Sequence, residues 1–542
     1  MKRGKNMKRV LSAILVLCMM VSVLSGCGST PESASSGAGE SSPADSSQSS
    51  ASSGEVPFAE KITITAAFPN FDGVDTETNE FWKAVCEKFN IEINLIELTY
   101  DGWNEKIRTW ISSNDMPDVV QWDFSYPDYV SFSKSGVIRE VPDLSSYPNM
   151  QALKDSMDIC KAIEIDGKMW AWPHKLVVNP YNQVDQNQYL YRRDWAEAVG
   201  MSAVTDKGII TMEEFEALLK AFKEQDPGKL GDKNIPFDSS YMYPLLTGMN
   251  FYNPQFNDYQ LKDGKYVWGA AQPETLDGLK YMKAMYDNGY IYKDFYASKG
   301  TDAKSRFFSG MVGVYADCPN VGHYTEYRTE MNKENEGFDA YKNIGSFVVA
   351  GPDGKVNTNQ VSEYWSATLY SSKMSDEALD RLMQMADWLA GEEGSNWSFY
   401  GIKGKDWDEK DGKIEILWPK DDNGNYKPLD YGNAIWLRHF ALAGGDQDFV
   451  NPSIPQQDID DWKTFAENKG SVANVIPINY ELQFLDTPLK SKFGSYYQDI
   501  MDEITKLIVS SDNIEEDWNS WVASMEPKVQ PILEEINEAL AK

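Results

Sequence analysis

The stretch that most constrains this chain is 61–123, where the spacing of apolar residues switches repeatedly between two periods. Lys61–Ala67 alternates as a strand and stops at Phe68-Pro69-Asn70. Phe81, Val85 and Phe89 then recur at helical spacing, Ile91–Leu98 reads as strand, and Trp103, Ile107, Trp110 and Ile111 mark a second helix. The turn Asn114-Asp115-Met116-Pro117 leads into a third strand, Asp118–Val120. A β-α-β-α-β order predicts a parallel sheet with helices on its faces. Ligands of such sheets lie past the carboxyl ends of the strands. Here the third strand runs through Gln121-Trp122-Asp123-Phe124 into an expected aromatic loop with Tyr126 and Tyr129. That makes Trp122 and Asp123 candidate ligand contacts, with Tyr126 beside them.

The rhythm then restarts. Glu164–Trp170 reads as a hairpin with Asp166-Gly167 at its turn, and Trp172–Tyr191 as a first crossing between lobes. Thr211-Met212-Glu213-Glu214 is a capping box ahead of a helix face formed by Phe215, Leu218, Leu219 and Phe222. Strands are expected at Met311–Tyr315 and Ile344–Ala350, the latter closed by Gly351-Pro352-Asp353-Gly354 at a return crossing. A helix is expected over Asp376–Ala390, and an amphipathic one near the C-terminus with Val529, Ile532, Leu533, Ile536 and Leu540 on one face.

The beginning of the chain carries a different message. Lys2, Arg3, Lys5, Lys8 and Arg9 precede an apolar run, Val10–Leu24, and then Leu24-Ser25-Gly26-Cys27. This pattern is an export leader over 1–26. The tetrapeptide resembles the lipobox of bacterial lipoproteins, which implies lipid on Cys27 and retention on the outer face of the cell membrane. Residues 27–56 are rich in Ser, Gly and Ala with no Lys or Arg, a composition that favours a flexible tether. At ~5–6 Å × √n such a tether reaches ~30 Å. The formal net charge is −32, which argues against nucleic acid and against binding to anionic lipid surfaces. Cys86, Cys160 and Cys318 are widely spaced with no Cys-x-x-Cys pair, so three buried thiols are expected, with one bridge left open.

No nucleophile elbow, phosphate-binding loop or His-Glu-x-x-His occurs, and His174, His323 and His439 are scattered. No catalytic residues are therefore assigned. A carboxylate pair for glycoside chemistry has a spatial signature only, so a secreted glycoside hydrolase or polysaccharide lyase stays as the rival reading. The chain holds 17 Trp and 29 Tyr. Trp103, Trp110 and Trp195 fall on helical faces and are expected in the core. Trp122, Tyr126, Trp170, Trp172, Trp365, Trp397 and Trp436 stand near strand ends beside polar residues. Sugars offer apolar C–H faces and hydroxyl rims, which suit an aromatic platform flanked by carboxylates or amides.

Several of these segments, in order, resemble the bacterial extracellular solute-binding proteins of the sugar type. They are Lys61–Ala67, SSNDMPDVVQWD, LYRRDWAEAVG, TMEEFEALLKAF, FFSGMVGVYADC and SDEALDRLMQMADWLAGEEG. The resemblance implies an α/β, two-lobed, periplasmic-binding-protein-like fold of type II, each lobe a mostly parallel sheet flanked by helices. It implies a lobe over 57–180 and 351–455, a second over 181–350 and 456–542, and a carbohydrate cleft between them. It further implies delivery of an oligosaccharide to an ABC permease, a monomer, and no nucleic-acid partner. Carried onto this sequence, the contacts would be Asn70, Phe71 and Asp72 after the first strand, Trp122 and Asp123 after the third, and Asp317 with Asn320 after Met311–Tyr315. A tryptophan common at that last position is missing, so Trp365, Trp172 or Trp436 is expected to supply the stacking. An acid-rich cleft suits a neutral sugar better than a uronate, although Lys175, Arg192 and Arg193 near the crossing keep uronates open. Long members of the family often carry a calcium loop after the TMEEFEALLKAF-like helix. Here Asp226, Asp232 and Asn234 are the weak metal candidates. Gly228 and Leu230 replace two ligand positions and the terminal Glu is absent, so no metal and no other cofactor is expected.

Overall fold

The computed structural model describes residues 58–540 apart from 177–187, 240–247, 299, 318–320, 423, 444–449, 486 and 493–495. The leader, Cys27, the tether, Cys318, Asn320 and most of the first crossing lie outside the described residues. Along the chain come β1 (Ile62–Ala67), β2 (Ile91–Leu95), β3 (Val119–Trp122), β4 (Ile138–Arg139) and β5 (Trp172–Lys175). There follow β6 (Gln188–Arg192), β7 (Ile209–Thr211), β8 (Ile235–Ser239), β9 (Tyr259–Lys262), β10 (Lys265–Trp268), β11 (Val312–Asp317) and β12 (Ile344–Ala350). Then come β13 (Val356–Asn359), β14 (Tyr364–Ser371), β15 (Trp407–Lys410), β16 (Lys413–Ile416) and β17 (Ala473–Ile476).

The opening motif forms as expected. β1 pairs in parallel with both β2 and β3. The Asp118 carboxylate accepts from the Thr65 backbone N–H at 2.7 Å and the Thr65 hydroxyl at 2.8 Å, which pins the start of β3 to β1. Asn79 caps the helix Glu80–Lys88, and Asn114 ends Trp103–Ser113 in the left-handed conformation at φ +54°. The later strand β14 completes this sheet in the order β2-β1-β3-β14-β4, with β5 also on β14. The second sheet runs β7-β12-β6-β11-β8, where β6 is antiparallel to both neighbours. Thr211 ends β7 and enters a reciprocal capping box with Glu214, with bonds of 3.1 and 3.2 Å. Asp166 and Gly167 both take positive φ at the expected hairpin turn, as a primed two-residue turn requires.

Each sheet has its own core. One apolar cluster joins residues between Ile64 and Trp172 to residues between Ala367 and Leu442. The clusters around the second sheet join residues from Tyr189 to Val349 with residues from Ile459 to Ile536. Near the return crossings β13 and β17 pair in parallel as a two-stranded ribbon. The short helix Tyr480–Gln483 follows, and it belongs to both cores. Leu482 packs with Tyr266, Ile532 and Ile536, while Phe484 lies in the first core with Tyr480 against it.

One local expectation fails. The residues after Trp122 are not an open aromatic loop, because Tyr126–Ser133 is a helix with Pro127 in its first turn, where proline has no helical hydrogen bond to lose. Tyr129 is buried there, donating from its hydroxyl to the Ile163 carbonyl at 2.8 Å. Cys86 and Cys160 are free and buried, and burial pushes each thiol up to about 12. Among the described residues no helix is long and apolar enough to cross a membrane.

Candidate functional site

The carboxyl ends of β1 and β3 and the start of the antiparallel β14 share one edge of the first sheet. An aromatic strip runs along that edge. Tyr100 and Trp103, at the head of the helix after β2, have ring centroids 5.7 Å apart. Trp103 lies 6.1 Å from Trp365 of β14, Trp365 5.8 Å from His439, and His439 5.3 Å from Trp436. The last two come from the 3-10 helix Gly432–Phe440. Tyr100 is 56% exposed, and Trp365 and Trp436 are half-buried.

Polar atoms crowd the same edge. Asn70 Oδ1, Asn104 Oδ1, Gln121 Oε1 and His439 Nδ1 are buried without a protein partner. Buried polar atoms are ordinarily satisfied, so their concentration beside an aromatic strip marks a place built for polar contact. Asn104 donates from its amide to the Asp123 carbonyl at 3.1 Å; Asp123 is exposed, and desolvation by its neighbours holds its carboxyl above the usual carboxylate range. Burial, then the nearby Asp123 charge, pushes the Tyr364 hydroxyl up to about 12.

Under the strip lies an uncharged network. Gln121 Nε2 donates to Ser366 Oγ at 2.9 Å. The His174 ring meets Ser366 Oγ at 2.8 Å through Nδ1 and Thr368 Oγ1 at 2.6 Å through Nε2. Both hydroxyls can donate or accept, so either neutral tautomer is satisfied. Burial lowers His174 to about 3 and holds His439 well below the usual histidine range; the network is neutral at physiological pH.

The expected contacts divide sharply against this geometry. Asn70, Asp123, Trp365 and Trp436 lie at the edge, and Asp72 is exposed there with its carbonyl accepting from Asn433 at 2.7 Å. Trp122, Trp172 and Phe71 are corrections: all three are core. Trp122 is 0% exposed between Phe124 and Phe132. It closes a strand buried along its whole length, so its ring turns under the covering helices and away from the edge. Trp172 is likewise 0% exposed, and its indole N–H donates to the Ala441 carbonyl at 2.6 Å. Phe71 packs against Phe68, Trp82 and Phe440. Tyr126 is half-buried, with its ring 4.8 Å from Phe484. Asp317 ends β11 on the other sheet, accepting from the hydroxyls of Tyr315 at 2.8 Å and Tyr327 at 2.6 Å. Asn320 falls outside the described residues.

Sequence reasoning missed Tyr100, Asn104, Gln121, His174, Ser366 and His439, and it read Trp103 as core only. Trp103 is 8% exposed, but it is the link between Tyr100 and Trp365. The loop at 226–234 is closed by its own hydrogen bonds. The Asp226 carboxylate accepts from the Leu230 and Gly231 N–H groups at 2.9 and 2.8 Å, and Asn234 donates to the Phe222 carbonyl at 2.8 Å. Asp232 is exposed.

Known proteins share this architecture. The alginate-binding protein AlgQ2, solved without calcium ion, superposes with a TM-score of 0.67 at 16% identity, covering 90% of this chain and 99% of that one. The Streptococcus pneumoniae ABC-transporter substrate-binding protein FusA, solved with kestose, gives 0.64 at 18% identity over 88% and 98%. These likenesses establish a two-lobed, periplasmic-binding-protein-like fold. In sequence, the chain is similar to the polygalacturonan/rhamnogalacturonan-binding protein YtcQ of Bacillus subtilis, 22% identical over 84% of this chain and 87% of that protein. It is also similar to the lipoprotein LipO of the same organism, at 24% over 70% and 72%. Residues 80–378, more than half of the chain, match the family described as bacterial extracellular solute-binding protein, and the chain belongs to that family.

Proposed function

We propose that this protein is the substrate-capturing component of a carbohydrate ABC importer, held on the outer face of the cell membrane by lipid on Cys27. The observation that carries this reading is the strip Tyr100–Trp103–Trp365–His439–Trp436 beside four unpartnered buried polar atoms. Stacked sugar rings would cover the aromatic faces while their hydroxyls satisfy the partly exposed Asn70 and Asn104. The names of FusA and YtcQ, one solved with a neutral sugar and one binding acidic polymers, support carbohydrate as the class.

A neutral oligosaccharide is the first choice. Asp123 welcomes hydroxyl donors and opposes a carboxylate placed beside it. Ligand bridging the lobes favours the closed form through its differential affinity for that form, and the permease reads closure. The protein acts as a binder with no turnover, as a monomer, and its 226–234 loop works without metal, since Gly228 and Leu230 stand at two ligand positions and the terminal Glu is absent.

A thermal-shift and calorimetry panel of neutral and uronic oligosaccharides, with product analysis, tests this reading. Stabilisation without product is the expected result. Cleavage of any oligosaccharide would move the protein to the hydrolase or lyase class. Micromolar calcium binding in a parallel titration would overturn the metal-free loop.

A further inference from the structure

Trp365 stands on the wrong side of its strand. Side chains of a strand alternate between faces, and Trp365 shares its parity with Ala367, which pairs with Trp122. A regular β14 would therefore turn Trp365 onto the Trp122 face, under the helices. Its ring instead meets Trp103 and His439, on the side where Gln121, His174 and Thr368 are bonded together. The register shows how. Opposite β5, Tyr364 pairs with Lys175 and Ala367 with Pro173, so Trp365 and Ser366 together face His174 alone. That is a bulge, which flips the phase of the strand. Ser366 sits at its corner with φ +60°, a strained left-handed backbone that is rare for serine. It is 3% exposed, with Oγ held by Gln121 and by His174, both 0% exposed.

We infer that Ser366 is a positioning residue for ligand: its bonded bulge moves Trp365 out of the core and sets the ring into the aromatic strip. The ligand half of this inference rests on the carbohydrate reading above. The geometric half stands without it.

The test uses the full-length chain in detergent, labelled with 5-fluorotryptophan, with the Trp365 fluorine resonance assigned by its loss in Trp365→Phe. Ser366→Gly accepts the left-handed backbone without strain but removes Oγ. The expected result is a shifted or split Trp365 resonance in a protein that still folds, and about tenfold weaker binding of the best oligosaccharide, about 1.4 kcal/mol. A Trp365 resonance that stays in place overturns the positioning role, whether or not the melting temperature falls. A displaced Trp365 with unchanged affinity overturns the link to ligand. If the parent protein binds no oligosaccharide, the carbohydrate reading fails, and the fluorine spectrum still decides the geometry.

Discussion

Trp122 and Trp365 are near neighbours in one sheet and have opposite fates. Trp122 ends β3 and pairs across from Ala367, two residues beyond Trp365. One is 0% exposed between two phenylalanines, and the other is half-buried in a strip of rings. A tryptophan at a strand end is therefore not a binding residue by position alone. Which face it takes is set by strand phase, and for Trp365 phase is set by one extra residue in its own strand, β14.

The largest test of that contrast is Trp122→Ala. It should cost about 3–5 kcal/mol in urea unfolding, the range for deleting a buried aromatic, while the remaining folded protein keeps its oligosaccharide affinity. Loss of affinity with stability intact would return Trp122 to the site.

Next is the network beneath Trp365. The folded His174 sits near 3 against about 6.5 in the unfolded chain. The unfolded state therefore binds more protons between those limits, and stability falls as pH is lowered through that window. From pH 7 to pH 5 the His174 share is about 2 kcal/mol. His174→Gln should flatten that part of the pH–stability curve, and an unaltered slope would mean that His174 takes up protons freely in the fold.

Trp365→Ala should leave urea stability within about 1 kcal/mol, as for a side chain outside the core. It should weaken oligosaccharide binding about tenfold, from the loss of one stacking contact. If instead it unfolds the protein while binding survives, the two tryptophans exchange roles.

The smallest effect belongs to Asp123. An ionised carboxylate accepts from sugar hydroxyls, so affinity should be full above its folded pKa and decline as pH falls through it. Desolvation by the neighbouring residues raises that pKa, so the decline begins at a higher pH than an ordinary aspartate gives. Calorimetry on Asp123→Asn should show a weaker but pH-independent affinity.

The alternation of Lys61–Ala67, the helical spacing of Phe81, Val85 and Phe89, and the Thr211–Glu214 box were enough to read the sheet-and-helix plan, because local patterns and local hydrogen bonds write it. Asn70, Asp123 and Trp365 reach the candidate edge for a related reason: each lies close to where a strand begins or ends, whereas Trp436 sits midway along the 3-10 helix Gly432–Phe440. Trp122 and Trp172 are core because the face of a strand side chain depends on its partner strand, and Phe71 because the 3-10 turn Pro69–Phe71 sets its ring against Phe68, Trp82 and Phe440. The roles of Gln121, His174 and Ser366 arise from contacts such as the 245-residue separation between Gln121 and Ser366. No local pattern encodes such a contact. A serine at φ +60° inside a strand likewise has no signature in composition.

The helix Tyr480–Gln483 carries a consequence for how the molecule melts. With Leu482 seated in one core and Phe484 in the other, loss of either core strips a buried partner from the next. The two lobes are thermodynamic neighbours that share an anchor, and calorimetry should record a single endotherm. Phe484→Ala, which frees one end of that anchor, is expected to divide the trace into two.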